Sequence, residues 1–245
     1  MFDFLKAKRQ RVMADVTAVR LISPNMLCVT LGGPGIKGFI AADNVDKPGA
    51  WVKLGLPTGE SRAYTFRRVD PVAGTLDLEM VLHDKGGVTG PASTWASDAK
   101  VGDQIGIAGP RDGRYRLPGD AAWLILAGDM TALPAMQSIA QVLPPGVKAQ
   151  MYVEVDSLED KQIVESPAQL EVTWLMSQGR PGGALRELLM KKDIAAGPGY
   201  VWIAGESSMT HALRTHYLNS PGMESMRVSA LGYWKVGESA HRDRG

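Results

Sequence analysis

Two hydrophobic rhythms divide this chain. From Val12 to Gly109, short alternating or β-branched runs recur between Gly, Pro and Asp. They include Val16 to Leu21, Met26 to Leu31, Trp51 to Leu56, Thr75 to Leu82 and Gln104 to Ala108. Strands this short and regular, with turn residues between them, predict a barrel or sandwich. One stretch differs: Pro91-Ala92-Ser93-Thr94-Trp95-Ala96 fits a short helix with proline in its first turn. Beyond Pro118 the rhythm becomes strand, helix, strand, helix. Trp123 to Ala127 is continuously apolar, as a strand buried on both faces requires. Over 131–142, Leu133, Met136, Ile139 and Ala140 recur at helical spacing, and Leu143 just beyond continues the same face. Met151 to Val155, Val172 to Met176 and Tyr200 to Ala204 read as further strands. Gly183 to Met190 and Ser208 to Leu218 read as helices. This alternation predicts a parallel sheet with helices on its faces.

The change of rhythm falls at Leu117-Pro118-Gly119-Asp120, giving an expected β-domain over 1–118 and an α/β domain over 119–245. A length of 245 residues suits one and a half average domains, so two compact cores are affordable. The first part carries 16 Lys and Arg against 12 Asp and Glu, the second 11 against 14. A mildly basic β-domain suits an anionic ligand. The overall charge of +1, with no basic cluster interleaved with aromatics, gives no support to nucleic-acid binding. Cys28 is the single cysteine, which excludes a disulfide scaffold. No secretory leader or membrane-length apolar run is visible, so a soluble cytoplasmic protein is expected.

Several motifs fail on their chemistry. Gly33-Pro34-Gly35-Ile36-Lys37-Gly38 matches the spacing of a dinucleotide fingerprint, but those glycines must open a helix facing a pyrophosphate. Set among β punctuation, the segment reads instead as a turn. His211 and His216 lie five apart, not at the spacing that puts two imidazoles on one metal, so no metal site is expected. Gly205-Glu206-Ser207-Ser208-Met209 lacks the closing glycine of a nucleophile elbow, and Ser207 or Ser208 reads as a helix cap.

Two motifs hold. In Arg62-Ala63-Tyr64-Thr65, Arg62 and Tyr64 lie two apart and share one face of a strand. A guanidinium can clamp a phosphate while a phenol ring covers an aromatic heterocycle, and Thr65 can bond a ring nitrogen or carbonyl. The second motif is His83 followed by Gly86-Gly87-Val88-Thr89-Gly90-Pro91-Ala92-Ser93. A glycine-rich loop entering a helix exposes N–H groups that can cradle a pyrophosphate, and Ser93 adds a hydroxyl.

Together with Ala108-Gly109-Pro110-Arg111, Gly128-Asp129-Met130-Thr131-Ala132-Leu133-Pro134-Ala135, Ala204-Gly205-Glu206 and Gly232-Tyr233-Trp234-Lys235, this pattern resembles the siderophore-interacting proteins. These are ferric-siderophore reductases of the ferredoxin–NADP reductase-like superfamily. Met130 departs from the pattern, since the family usually has an acidic residue there. The resemblance implies a six-stranded antiparallel flavin-binding barrel followed by a parallel-sheet domain of the pyridine-nucleotide type. It implies FAD held by Arg62, Ala63, Tyr64, Thr65, His83, Gly90, Ala92 and Ser93, faced by Thr131, Ala132 and Trp234, with Tyr233 nearby. It also points to basic residues for an anionic ferric siderophore, with Lys53, Arg114, Arg116 and Lys235 as candidates.

The implied reaction is reduction of the ferric siderophore with release of Fe²⁺ for iron assimilation. It needs neither a catalytic triad nor a general base. The donor is left open among NADH, NADPH and reduced ferredoxin. Gly205, Glu206 and Ser207 lie where a nicotinamide could dock, Asp156 favours a ribose hydroxyl, and Arg180 favours a 2′-phosphate. Two other readings keep the flavin residues. One is a general NAD(P)H-flavin or ferredoxin-type reductase serving a protein acceptor; the other is a non-enzymatic flavin- or siderophore-binding module. A monomer is expected.

Overall fold

A computed structural model describes residues 10–42, 45–82 and 90–238. It divides into two compact units, one of Met1–Arg20 with Leu27–Gly113 and one of Leu21–Met26 with Arg114–Gly245.

In the first unit, β1 (Gln10–Ser23), β2 (Met26–Gly32), β3 (Trp51–Gly55), β4 (Ser61–Asp70), β5 (Thr75–Val81) and β6 (Gln104–Arg111) form a closed barrel. The order around it is β1-β2-β5-β4-β3-β6, closed by antiparallel pairing of β1 with β6. Closure removes the free edges that an open sheet would expose. The alternation works as the sequence predicts: Val52 and Leu54 of β3, Leu76, Leu78 and Met80 of β5, and Ile105 and Ile107 of β6 fill one core. β1 runs well past the six residues expected of it at both ends. The helix expected at Pro91 is present as α2 (Pro91–Asp98).

The Gly33–Gly38 segment overturns its reading as a turn. It is a helix, α1 (Pro34–Ile40), with Pro34 in the first turn and Ile36 and Phe39 wholly buried. Phe39 meets Phe66 edge-on, ring centroids 6.1 Å apart. Burying two large apolar side chains contributes about 1.5–3 kcal/mol each, enough to offset the poor helix propensity of the glycines. The fingerprint still fails, for a different reason. A Cβ on Gly35 would overlap the carbonyl of Met13, so the close approach that glycine permits is to the barrel's own backbone.

The second unit holds a five-stranded parallel sheet in the order β11-β10-β7-β8-β9. Its strands are β7 (Trp123–Asp129), β8 (Lys148–Val155), β9 (Gln169–Met176), β10 (Gly199–Glu206) and β11 (Val228–Trp234). Its helices are α3 (Leu133–Ala140), α4 (Gly183–Lys191) and α5 (Ser207–Leu218). Every residue of β7 and β10 is buried, as their unbroken apolar runs demand. Trp123, Ile125, Val201 and Ile203 pack one face against Leu185, Leu189, Met209 and Leu213 of α4 and α5. The cap of α5 differs from expectation: Glu206 is the N-cap, its carboxylate accepting the Met209 N–H at 2.9 Å, while Ser207 and Ser208 lie inside the helix. Glutamate can serve because its carboxylate accepts one of the orphan N–H groups of the first turn, as the usual capping side chains do.

Among the described residues, no helix is long and apolar enough to cross a membrane. None of their His, Cys, Asp and Glu form groups of three or more that could hold a metal ion. Burial pushes the Cys28 thiol up to about 12, so it is no nucleophile.

Candidate functional site

In the first unit the candidates lie on β4 and at the start of α2. Arg62 pairs with Leu54 of β3 and Tyr64 with Val52, so both project to the side that carries the barrel core. The period of two therefore places them together as predicted. Arg62 is half-buried; its guanidinium bonds the Glu60 carboxylate at 3.0 Å and the Ser61 carbonyl at 3.1 Å. Tyr64 packs against the barrel core, and burial pushes its phenol well above the ordinary range, so it remains a protonated donor. Ala63 and Thr65 face the other way, opposite Lys53 and Trp51 of β3. The structure thus splits the expected β4 set between two faces of one strand.

The outer face also carries a platform that the sequence did not single out. The Arg111 guanidinium lies 4.9 Å from the centroid of the Trp51 ring, and the Trp51 indole donates to the Asp112 carbonyl at 3.1 Å. The available signal was Trp51 two positions before Lys53 on the same strand, which shares its face.

Gly90 precedes α2 with extended dihedrals, φ −67° and ψ 150°, that any residue adopts. Its glycine is therefore not there for conformation. A Cβ would meet nothing within 4 Å, and α2 has no side-chain cap. Ala92 and Ser93 are buried in its first turn. A helix start without a side-chain cap among the described residues, with a serine in its first turn, suits the pyrophosphate of FAD. His83 and the glycines before Gly90 lie outside the described residues.

In the second unit the candidates converge on the C-terminal edge of the sheet. Asp129 ends β7 and is buried; Oδ1 accepts the Thr131 N–H at 2.9 Å and its hydroxyl at 2.5 Å. Oδ2 accepts the Glu206 N–H at 2.9 Å and the Trp234 indole N–H at 2.9 Å. Burial pushes the Asp129 carboxyl above the usual carboxylate range, against the pull of these donors. Gly205 has φ +130°, and a Cβ there would overlap the Asp129 carboxylate, so only glycine leaves it room. Thr131 and Trp234 are half-buried, Ala132 is buried, and Met130 packs away from solvent where the family pattern has an acid. Glu154, at the end of β8, accepts the Gly182 and Leu185 N–H groups at 2.7 and 3.1 Å and thereby caps α4 from within. Of the residues considered for a nicotinamide, Glu206 is buried as the α5 cap, while Asp156 and Arg180 are exposed.

Lys235 is exposed and paired with Glu238 at 2.5 Å, which holds its ammonium above the ordinary lysine range. Arg114 and Arg116 are exposed. Arg114 has φ 56°, a left-handed backbone in a residue with a Cβ. Its carbonyl accepts from Ser229 Oγ at 2.9 Å and Tyr200 Oη at 3.3 Å. Left-handed backbone costs a non-glycine residue about 1–2 kcal/mol, and glycine's extra unfolded-state freedom returns about 0.5–1 kcal/mol of that. Arg114→Gly should therefore stabilise the protein by about 0.5 kcal/mol in urea unfolding.

Residues 121–237 match the siderophore-interacting protein family and residues 57–114 match the siderophore-interacting FAD-binding domain. A protein of Mycobacterium tuberculosis is 30% identical over 262 residues, covering 92% of this chain and 90% of that one. The chain belongs to the siderophore-interacting protein family. Ferric vibriobactin reductase ViuB of Vibrio cholerae is 29% identical over 260 residues, spanning 95% of this chain and 93% of ViuB. The crystal structure of a siderophore utilization protein from T. fusca superposes with a TM-score of 0.79 at 30% identity, over 94% of each chain. In this siderophore-interacting protein, the matched FAD-binding segment contains Arg62 to Thr65 and α2. The other matched segment contains Asp129, Thr131, Glu206 and Trp234.

Proposed function

We propose that this siderophore-interacting protein is an FAD-dependent reductase that converts ferric siderophores to the ferrous state and so releases Fe²⁺. The observation that carries the reading is the end-to-end similarity to ferric vibriobactin reductase across both units, with the FAD-binding segment included. Siderophores hold Fe³⁺ through hard, often anionic oxygens, and the lower charge of Fe²⁺ weakens that grip. One electron per iron therefore suffices, and no ligand bond has to be cut. Bound FAD would supply those electrons singly after taking up two from a donor.

The protein's share is positioning and charge. Arg62 offers a planar fork to the FAD phosphates, Tyr64 a neutral phenol, and Thr65 a buried hydroxyl on the other face of β4. The first turn of α2, with Gly90, Ala92 and Ser93, takes the pyrophosphate; His83 belongs to the same group by resemblance. Thr131, Ala132 and Trp234 are the second unit's candidate flavin residues. Lys53, Arg114, Arg116 and Lys235 supply positive charge for the anionic ferric complex. The electron donor is NADH, NADPH or reduced ferredoxin, and the protein acts in the cytoplasm as a monomer.

The test is anaerobic. The FAD-loaded protein is photoreduced, mixed with ferric catecholate or hydroxamate siderophores, and followed for flavin reoxidation and for Fe²⁺ trapped by a ferrous chelator. Two Fe²⁺ per flavin are expected. Reoxidation without trapped Fe²⁺, or no reoxidation by any ferric siderophore, would remove the reading.

A further inference from the structure

Asp129 holds more than the turn into α3 requires. One oxygen, Oδ1, is spent on the Thr131 N–H and hydroxyl at the start of that turn. The other reaches across to β10 and β11, to partners 77 and 105 residues away in sequence. β7 and β10 are neighbours, and the chain leaves them in opposite directions, to β8 and to β11. Such a reversal point is where open α/β sheets take ligands.

Three local features converge on the Trp234 indole there. The β10–β11 register slips between Gly205 and Glu206, which pair with Gly232 and Trp234, so Tyr233 is an extra residue and the bulge re-aims Trp234. Gly205 leaves room for the Asp129 carboxylate. That carboxylate then fixes the indole N–H at 2.9 Å. A ring packed only for its apolar surface would need some acceptor for its N–H, but not a buried carboxylate reached through a bulge and a glycine kept clear for it. Thr131 is constrained in the same way. Its hydroxyl proton is committed to Asp129, so its oxygen presents only lone pairs to anything else.

We propose that Asp129 is a positioning residue for the cofactor. Its carboxylate fixes the plane of the Trp234 indole and makes Thr131 Oγ1 a hydrogen-bond acceptor, so that this sheet edge offers FAD a set aromatic face and an acceptor. The inference rests on the FAD reading above.

Asn at this position has one acceptor and one donor, so its amide must turn an N–H toward one pair of existing donors. Trp234→Phe keeps an aromatic ring, though a smaller one, and removes the indole N–H. The experiment measures FAD dissociation constants for wild type, Trp234→Phe, Asp129→Asn and the double variant. It also follows the Trp234 indole ¹H–¹⁵N resonance, assigned by its loss in Trp234→Phe. Trp234→Phe is expected to weaken FAD about fivefold in the wild-type background but less than twofold in Asp129→Asn. Asp129→Asn should shift the indole resonance and speed its hydrogen exchange, with or without FAD. An FAD affinity within twofold of wild type in Trp234→Phe overturns the proposal, even if Asp129→Asn does not fold. An equal cost of Trp234→Phe in both backgrounds overturns it as well. Neither readout involves iron, so a wild-type holoprotein that fails to reduce ferric siderophores would remove the proposed reaction and leave this cycle readable.

Discussion

Arg62→Ala is expected to weaken FAD binding by about 10- to 100-fold. A charge-assisted hydrogen bond contributes about 1.5–3 kcal/mol, and each 1.4 kcal/mol is a factor of ten in affinity. Arg62→Lys should recover only part of the loss, because an ammonium keeps the charge but not the planar two-point grip on phosphate. Glu60 makes the prediction sharper. Its carboxylate holds the Arg62 guanidinium at 3.0 Å and is itself well exposed. An anion there competes with a phosphate for the same donors. Glu60→Gln should therefore tighten FAD binding two- to fivefold in wild type and do nothing in Arg62→Ala. Fluorescence titration of FAD into apoprotein reads all four variants. If Arg62→Ala changes affinity by less than threefold, the phosphate role assigned to β4 is wrong, and the pyrophosphate must depend on α2 alone.

The residues of this site differ in how far the sequence discloses them. Arg62 and Tyr64 share a face because a strand has a period of two, and no tertiary information is needed to see it. That this face is the barrel side, with Thr65 and Lys53 on the other, depends on the register of β3 against β4, which spacing within one strand does not contain. The sheet strands β7 and β10 were legible as unbroken apolar runs, since burial on both faces leaves no polar position. α1 was not, because Gly and Pro dominate its sequence and only the burial of Ile36 and Phe39 makes it helical. Tertiary packing overrides propensity there. The cap of α5 lies one or two residues before the expected serines for a related reason. Serines are favoured caps in general, but the buried Glu206 carboxylate is the acceptor that faces the Met209 N–H. Asp129 stood in a recognisable motif, yet its role is set by partners on two distant strands, which no local pattern encodes.

Lys53→Ala combined with Lys235→Ala should raise KM for an anionic ferric siderophore about 10- to 100-fold while leaving FAD affinity within twofold. Each exposed or half-exposed charge contributes on the order of 1 kcal/mol to a bound anion, so losing two costs about a factor of 30. The effect belongs in KM because charge attraction acts on the whole complex before any electron moves. It should shrink as salt is raised from 0.05 to about 0.5 M, since screening shortens the reach of such charges to a few ångströms. A cationic or neutral ferric complex should be nearly indifferent to the same substitutions. Glu238 supplies a control in the opposite direction: it pairs with Lys235 at 2.5 Å and neutralises part of its field. Glu238→Gln should lower KM for the anionic complex. It also removes the influence that holds Lys235 above the ordinary lysine range. Since a raised lysine loses its proton only at still higher pH, the Lys235 charge in wild type is intact from pH 6 to 9. The Lys235-dependent part of KM should therefore be flat across that range. A double variant with unchanged KM at low salt would assign the anion to Arg114 and Arg116, or to no protein charge at all. A KM that rose equally for neutral complexes would mean that the lysines shape the pocket and do not attract its ligand.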